Sequence, residues 1–202
     1  ATNELVTLPP LTGLSMLTSL RLSYNQVTDI APLSGLTNMT SLFLLGNQVS
    51  SLAPLSGLRA LTGLWINENQ ISDVTPLSGL TSLSQLGLGH NQIVDVTPLS
   101  SLTNLTQLSL DSNRIKDVSP LVGLTALTGL SFEINMVRDL QPLVDNPGIG
   151  SGDAVVVRNN PLNAYAVNTC IPTLEERGVT VTQGLPDSQK PNQPENQAPP
   201  WM

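Results

Sequence analysis

The sequence predicts an α/β solenoid, with parallel β-strands on a concave side, short 3₁₀ or irregular segments on a convex side, and a helical carboxyl-terminal cap. The main observation is a strict 22-residue spacing of Asn25, Asn47, Asn69, Asn91, Asn113 and Asn135. A proline follows each of these asparagines by seven residues, and a leucine precedes each by five. A fixed period of this length indicates structural units that stack one on the next.

Each repeat begins with an apolar, variable, apolar triplet such as Leu42 to Leu44, and this two-residue period predicts a short strand with one buried face. The asparagine then ends the strand, where its amide can pair with backbone groups and form a ladder along the stack. Aspartates after the strand are expected to accept backbone hydrogen bonds in turns; they are Asp29, Asp73, Asp95, Asp117 and Asp139. The proline of each repeat makes a long helix unfavourable, so the return segment should be 3₁₀ or irregular.

The motif LxxLxLxxNxIxDVxPLxxLT resembles the 22-residue leucine-rich repeats of bacterial internalins and internalin-like surface proteins. The resemblance covers about residues 3–182. It implies a leucine-rich repeat solenoid in an exported or cell-surface bacterial protein. Because such repeats are scaffolds for many unrelated targets, the motif says almost nothing about the partner.

Three regions are predicted along the chain. Residues 1–142 hold the repeats, of which the first lacks its strand leucines; 143–185 form an irregular terminal repeat and cap; 186–202 are a Pro/Gln/Asn-rich linker or disordered tail. Within the cap, we expect a helix over 163–178 and a last strand at Val179 and Val181. The resemblance implies an amino-terminal helical cap, which this sequence does not contain. An exposed solenoid end is therefore expected, and it could support weak self-association, unless an upstream segment covers it.

Composition and motifs argue against several classes of function. The formal net charge of −7 disfavours nucleic acid as a partner. No apolar run reaches the roughly 18 residues of a membrane span. Cys170 is the single cysteine, and no sequence motif predicts a metal site, a phosphate loop or a catalytic nucleophile. We therefore expect neither cofactor nor catalysis.

A binding patch is predicted on the concave face of the first repeats. The chain has six aromatic residues, and Tyr24, Phe43 and Trp65 all fall on this face in consecutive repeats. With a polar rim they form an arrangement typical of protein interfaces; the predicted patch comprises Arg21, Tyr24, Phe43, Leu45, Trp65 and Glu68. The alternative is that the aromatic rings merely pack on one another along the sheet.

Two further patterns suggest other functions. Asp111, Glu133 and His90 lie close together on the concave face, but we expect the carboxylates to be solvated, which argues against catalysis or a cation site. A column of hydroxyl side chains precedes the strands and allows an ice-binding alternative, although threonine also simply favours strand entry; it comprises Thr18, Thr40, Thr62, Ser84, Thr106 and Thr128. The favoured interpretation is a non-catalytic protein-binding module, and the alternatives are a structural spacer for other domains or an intracellular regulator.

Overall fold

The computed structural model describes residues 4–184. Eight short strands form one parallel sheet in which spatial order follows chain order. The strands are β1 Ser19–Arg21, β2 Ser41–Phe43, β3 Gly63–Trp65, β4 Gln85–Gly87, β5 Gln107–Ser109, β6 Gly129–Ser131, β7 Ala154–Val156 and β8 Thr180–Thr182. The predicted tail at 186–202 lies outside the described residues.

The register of the sheet repeats the sequence period. Leu42 of β2 pairs with Leu64 of β3, which pairs with Leu86 of β4, so paired residues are one repeat apart in the sequence. Each repeat with its strand forms one rung of the solenoid. Between β6 and β7 the offset lengthens, and Gly129 pairs with Ala154. Equivalent positions of consecutive repeats therefore stand side by side, about 4.8 Å apart, across the whole sheet.

The convex side consists of short 3₁₀ segments, as predicted: Ala31–Leu33, Ala53–Leu55, Thr75–Leu77, Thr97–Ser101 and Ser119–Leu121. The sixth segment is a short α-helix, α1 Gln141–Asp145. Proline stands in the first turn of each, where a missing N–H costs nothing. The predicted aspartate turns are confirmed, since Asp73 Oδ1 accepts the Thr75 N–H at 2.8 Å and its four counterparts do the same.

The core is one continuous apolar column between the sheet and the convex segments. Leu20 of β1 and Val181 of β8 are partly buried, whereas Leu42, Leu64 and their equivalents in β4 to β7 are buried. Each such side chain contributes about 2 kcal/mol of burial free energy. At the amino end, Leu8, Leu11 and Leu17 are only partly buried against this core.

The asparagine ladder is confirmed. Asn69 Oδ1 accepts the Val49 N–H of the preceding repeat at 2.9 Å. Its Nδ2 donates to the carbonyls of Leu44, Ile66 and Asn67. Equivalent bonds recur from Asn25 to Asn160. Each side chain therefore pairs backbone groups of two adjacent rungs that stacking would otherwise bury without partners.

The cap is helical, as expected, but it is not a regular α-helix. A π-turn, Ala166–Cys170, precedes α2, Ile171–Glu176. Pro172 explains the difference, because its ring clashes with the carbonyl four residues back and it cannot donate an N–H. Gly178, with φ +86°, stops the helix, and β8 follows.

Candidate functional site

The concave face of β1 to β3 carries a stack of three side chains. The Phe43 and Trp65 rings are parallel within 2°, with centroids 4.3 Å apart. The Arg21 guanidinium carbon lies 4.1 Å from the Phe43 centroid on the opposite side. The stack follows from the register, which pairs Arg21 with Phe43 and Phe43 with Trp65. The strand spacing thus closely matches the distance that favours ring stacking, and the expectation that the two rings are neighbours is confirmed.

The other three residues of the predicted patch flank this stack. Tyr24 is about half exposed and Glu68 is exposed, whereas Leu45 is partly buried. The Tyr24 ring lies against Gly46: a Cβ on this glycine would stand 2.8 Å from Tyr24 Cδ1. The stack therefore lies along the strands, Tyr24 and Glu68 follow β1 and β3, and Leu45 follows β2.

Two glycines that sequence reasoning did not single out shape the patch. A Cβ on Gly63 would collide with the indole of Trp65, so glycine allows the ring to lie back over its own strand. Gly87 pairs with Trp65 in the register and interrupts the row of large side chains. The sequence shows the change from Trp65 to Gly87 one repeat later, and this change could have predicted where the row of large side chains ends.

A shallow depression of about 220 Å³ adjoins Trp65. Its lining also includes Gln85, Gly87, Gln107 and Ser109, all from β4 and β5. These residues lie on the side of Trp65 opposite to Phe43, because β4 and β2 flank β3 on its two sides. The depression therefore borders the face of the indole that Phe43 leaves uncovered.

Asp111 is buried, contrary to the expectation that it would be solvated. Only 4% of its surface is exposed. Its carboxylate accepts hydrogen bonds from the Ser109 hydroxyl at 2.9 Å, the Glu133 N–H at 2.9 Å and the Ser131 hydroxyl. Ser109 lies in β5, Ser131 in β6 and Glu133 two residues after β6, and these donors compensate for the loss of water. The network joins adjacent rungs.

His90 contacts this network through its backbone. It is exposed, and the bond that connects it to Asp111 is a backbone one, from its N–H to the Asp111 carbonyl at 2.7 Å. Within residues 4–184, no group of three or more His, Cys, Asp or Glu side chains could hold a metal ion. No described helix is long and apolar enough to cross a membrane.

The hydroxyl column is part of the backbone ladder. Thr40 Oγ1 donates to the Thr18 carbonyl at 3.1 Å, and Thr62, Ser84, Thr106 and Thr128 donate in the same way to the preceding rung. Their hydroxyl protons are thus used within the chain. This arrangement favours the structural interpretation of the column over the ice-binding one.

Comparisons with known proteins agree with this architecture. A family model described as leucine-rich repeats (two copies) matches residues 15–57 and 59–101. The comparison with curated proteins gave no match.

Solved structures of bacterial repeat proteins superpose on most of the chain. Internalin C2 of Listeria monocytogenes is 33% identical, with a TM-score of 0.81, over 91% of this chain and 78% of that one. Internalin F of the same species is 27% identical, with a TM-score of 0.67, over 90% of this chain and 57% of that one. A leucine-rich repeat protein of Leptospira interrogans, 22% identical with a TM-score of 0.76 over 88% of this chain and 52% of that one, shares the fold. The period, the parallel sheet, the asparagine ladder and these relatives together show that the chain belongs to the internalin-like family of bacterial leucine-rich repeat proteins.

Proposed function

We propose that this chain is a non-catalytic protein-binding module of an exported or cell-surface bacterial protein, and that it docks its partner through the concave patch, Arg21, Tyr24, Phe43, Leu45, Trp65 and Glu68. Leucine-rich repeats commonly bind proteins, and the family relatives are internalins. The observation that carries the proposal is the stack of Phe43 and Trp65, which stands on an open sheet face.

The stack suits a binding anchor because its geometry is already set. Phe43 lies between Trp65 and the Arg21 guanidinium, so its ring has little rotamer freedom left to lose on binding. Large aromatic side chains also supply much of the energy of protein interfaces, and truncation of one such anchor often costs about 2 kcal/mol or more. Glu68, exposed at the strand end, provides the polar rim that surrounds such anchors.

The test compares two double variants on an array of purified secreted and cell-surface proteins. Phe43→Ser with Trp65→Ser removes the stack. Val94→Ser with Val122→Ser is the matched control, because both valines are exposed and lie outside the concave strands. Proteins captured by the parent should lose at least tenfold in affinity for the first variant and keep their affinity for the second.

Thermal unfolding separates the proposal from the packing alternative. If the stack only packs on itself, Phe43→Ser with Trp65→Ser will lower the melting temperature while partner affinity stays at the parent value. Such a result would remove the concave patch as the docking surface. Equal loss of affinity in the control variant would likewise contradict the assignment of binding to this face.

A further inference from the structure

The stack on the concave face is closed at one end and open at the other. At the β1 end, the Arg21 guanidinium covers Phe43. At the β4 end, Trp65 has one face against Phe43, while the other borders the depression that β4 and β5 line. The molecule thus shows, within one row, how a planar cation terminates this stack and where a second one would fit.

The open end of the stack is bounded by side chains of β3 to β5. Gly87 occupies the register position next to Trp65, and the Asn67 side chain lies over it, since a Cβ on Gly87 would collide with Asn67 Oδ1. The following position, Ser109, is small and buried. A planar group that enters the depression from the Gln85 side would lie one strand spacing, about 4.8 Å, from the indole. This spacing is within the range of ring–cation and ring–ring contacts.

The polar groups around the depression are suited to accept hydrogen bonds. The exposed Gln85 side chain carries an amide oxygen that can accept a hydrogen bond. The Ser109 hydroxyl donates its proton to Asp111, which leaves its oxygen lone pairs as acceptors. A ligand with several N–H donors in one plane would fit these acceptors better than a ligand without donors.

The charges nearby favour a cation. Glu68 lies at the end of β3, and Asp111 and Glu133 follow β5 and β6. From Gly63 to Ile134, the strands and the residues between each strand and its asparagine contain no lysine or arginine. The net charge of the whole chain is −7. An incoming positive group thus meets attractive charge on the concave wall from β3 to β6.

From these observations we propose that the depression beside Trp65 holds an arginine side chain of the partner protein, with its guanidinium stacked on the open indole face. This inference rests on the proposed function and names the chemistry of the partner at one position. Arginine combines a flat surface for stacking, a permanent charge and N–H donors for Gln85 and Ser109. Lysine lacks the flat surface, and tyrosine lacks the charge.

The experiment is an NMR titration of the ¹⁵N-labelled chain with Nα-acetyl-arginine methylamide. The chain has two tryptophans, so a Trp65→Phe variant assigns the Trp65 indole N–H signal. We expect saturable shifts of this signal and of the Gln85 side-chain amide, with a Kd on the order of millimolar. The citrulline derivative, which is flat and isosteric but neutral, should bind about fivefold or more weakly, and so should the lysine derivative.

Two substitutions of Gln85 test the location and the role of charge. Gln85→Lys places a like charge in the exposed rim and should weaken arginine binding at least tenfold, whereas Gln85→Glu should strengthen it about threefold. Gln92→Lys is the matched control, because it makes the same change at an exposed site beyond the strand of the same repeat. It should leave the Kd within a factor of two.

The outcomes separate this inference from the proposed function. Absence of shifts at Trp65, equal binding of the arginine and citrulline derivatives, or equal binding of the lysine derivative would each overturn the guanidinium assignment. The loss of partner affinity in the variant that lacks Phe43 and Trp65 is measured independently. If that loss occurs without arginine binding, the concave patch stands and only the occupant of the depression is wrong.

Discussion

Replacement of a central ladder asparagine by alanine tests how the solenoid is held together. Asn69 is 9% exposed, and its Oδ1 accepts the N–H of fully buried Val49. The shortened side chain cannot reach this donor, and a buried N–H without a partner costs about 1–3 kcal/mol. The Asn69→Ala change therefore leaves one backbone donor unpaired between two rungs.

The three carbonyls that Asn69 serves are less affected. The Leu44 carbonyl keeps its bond from Asn47 Nδ2 at 3.0 Å, and the Asn67 carbonyl keeps the Gly46 N–H at 3.0 Å. The Ile66 carbonyl keeps Asn91 Nδ2 at 3.1 Å. Loss of the three bonds from Asn69 Nδ2 to these carbonyls adds about 1 kcal/mol in total. Asn69→Ala should thus lower the free energy of unfolding by about 3 kcal/mol, a large share of the roughly 5–15 kcal/mol of a typical domain.

Asn25 at the first rung provides the comparison. Its Oδ1 accepts the N–H of Leu5, which is exposed, so water can replace the lost bond. Asn25→Ala should cost about 1 kcal/mol or less. Urea unfolding followed by far-UV circular dichroism measures both values. A cost below about 0.5 kcal/mol for Asn69→Ala, or equal costs at the two positions, would refute the argument that buried backbone donors make the ladder necessary.

Three further predictions concern strain, acidity and reactivity. Ile134→Gly should stabilise the chain by about 1 kcal/mol in urea unfolding, because Ile134 has φ +52° and a β-branched side chain disfavours this region; a destabilised variant would contradict this reasoning. Hydrogen bonds from the Thr75 side chain and N–H lower the pKa of Asp73 below 3.8, so the stabilisation that the ionised carboxylate provides is present above about pH 4 and lost as pH falls through the lowered pKa. Thr75→Ala should raise the pKa of Asp73 in an NMR titration and leave the pKa of Asp95 unchanged. If the pKa of Asp73 does not rise, the Thr75 hydroxyl is not the main cause of its lowered value. Burial raises the pKa of the Cys170 thiol, with a further contribution from nearby aspartate charge, so a disulfide reagent at pH 8 should react with it only after unfolding, and rapid reaction in the folded chain would be evidence against its burial.

The candidate patch was predictable because it depends on which residues occupy the same position of consecutive repeats, and not on details of packing. Once the period is 22 residues, Phe43 and Trp65 must occupy adjacent rungs at the same height, and the register confirms this. Whether the patch binds a partner stays a prediction. The depression next to Trp65 was not foreseen, because it depends on how the indole lies over Gly63 and on the side chains of β4 and β5 that line it.

The amino-acid sequence by itself determined the period, the strand positions, the asparagine ladder and the aspartate turns, because each of these repeats the same local geometry in every unit. Tertiary structure alone decided features that depend on side chains from neighbouring rungs. Asp111 is buried because hydroxyls at Ser109 and Ser131 replace water around its carboxylate. The cap takes a π-turn because Pro172 must fit against the preceding turn of its helix. Spacing along the chain predicts which residues are neighbours, whereas rotamers and hydrogen-bond partners decide what those neighbours enclose.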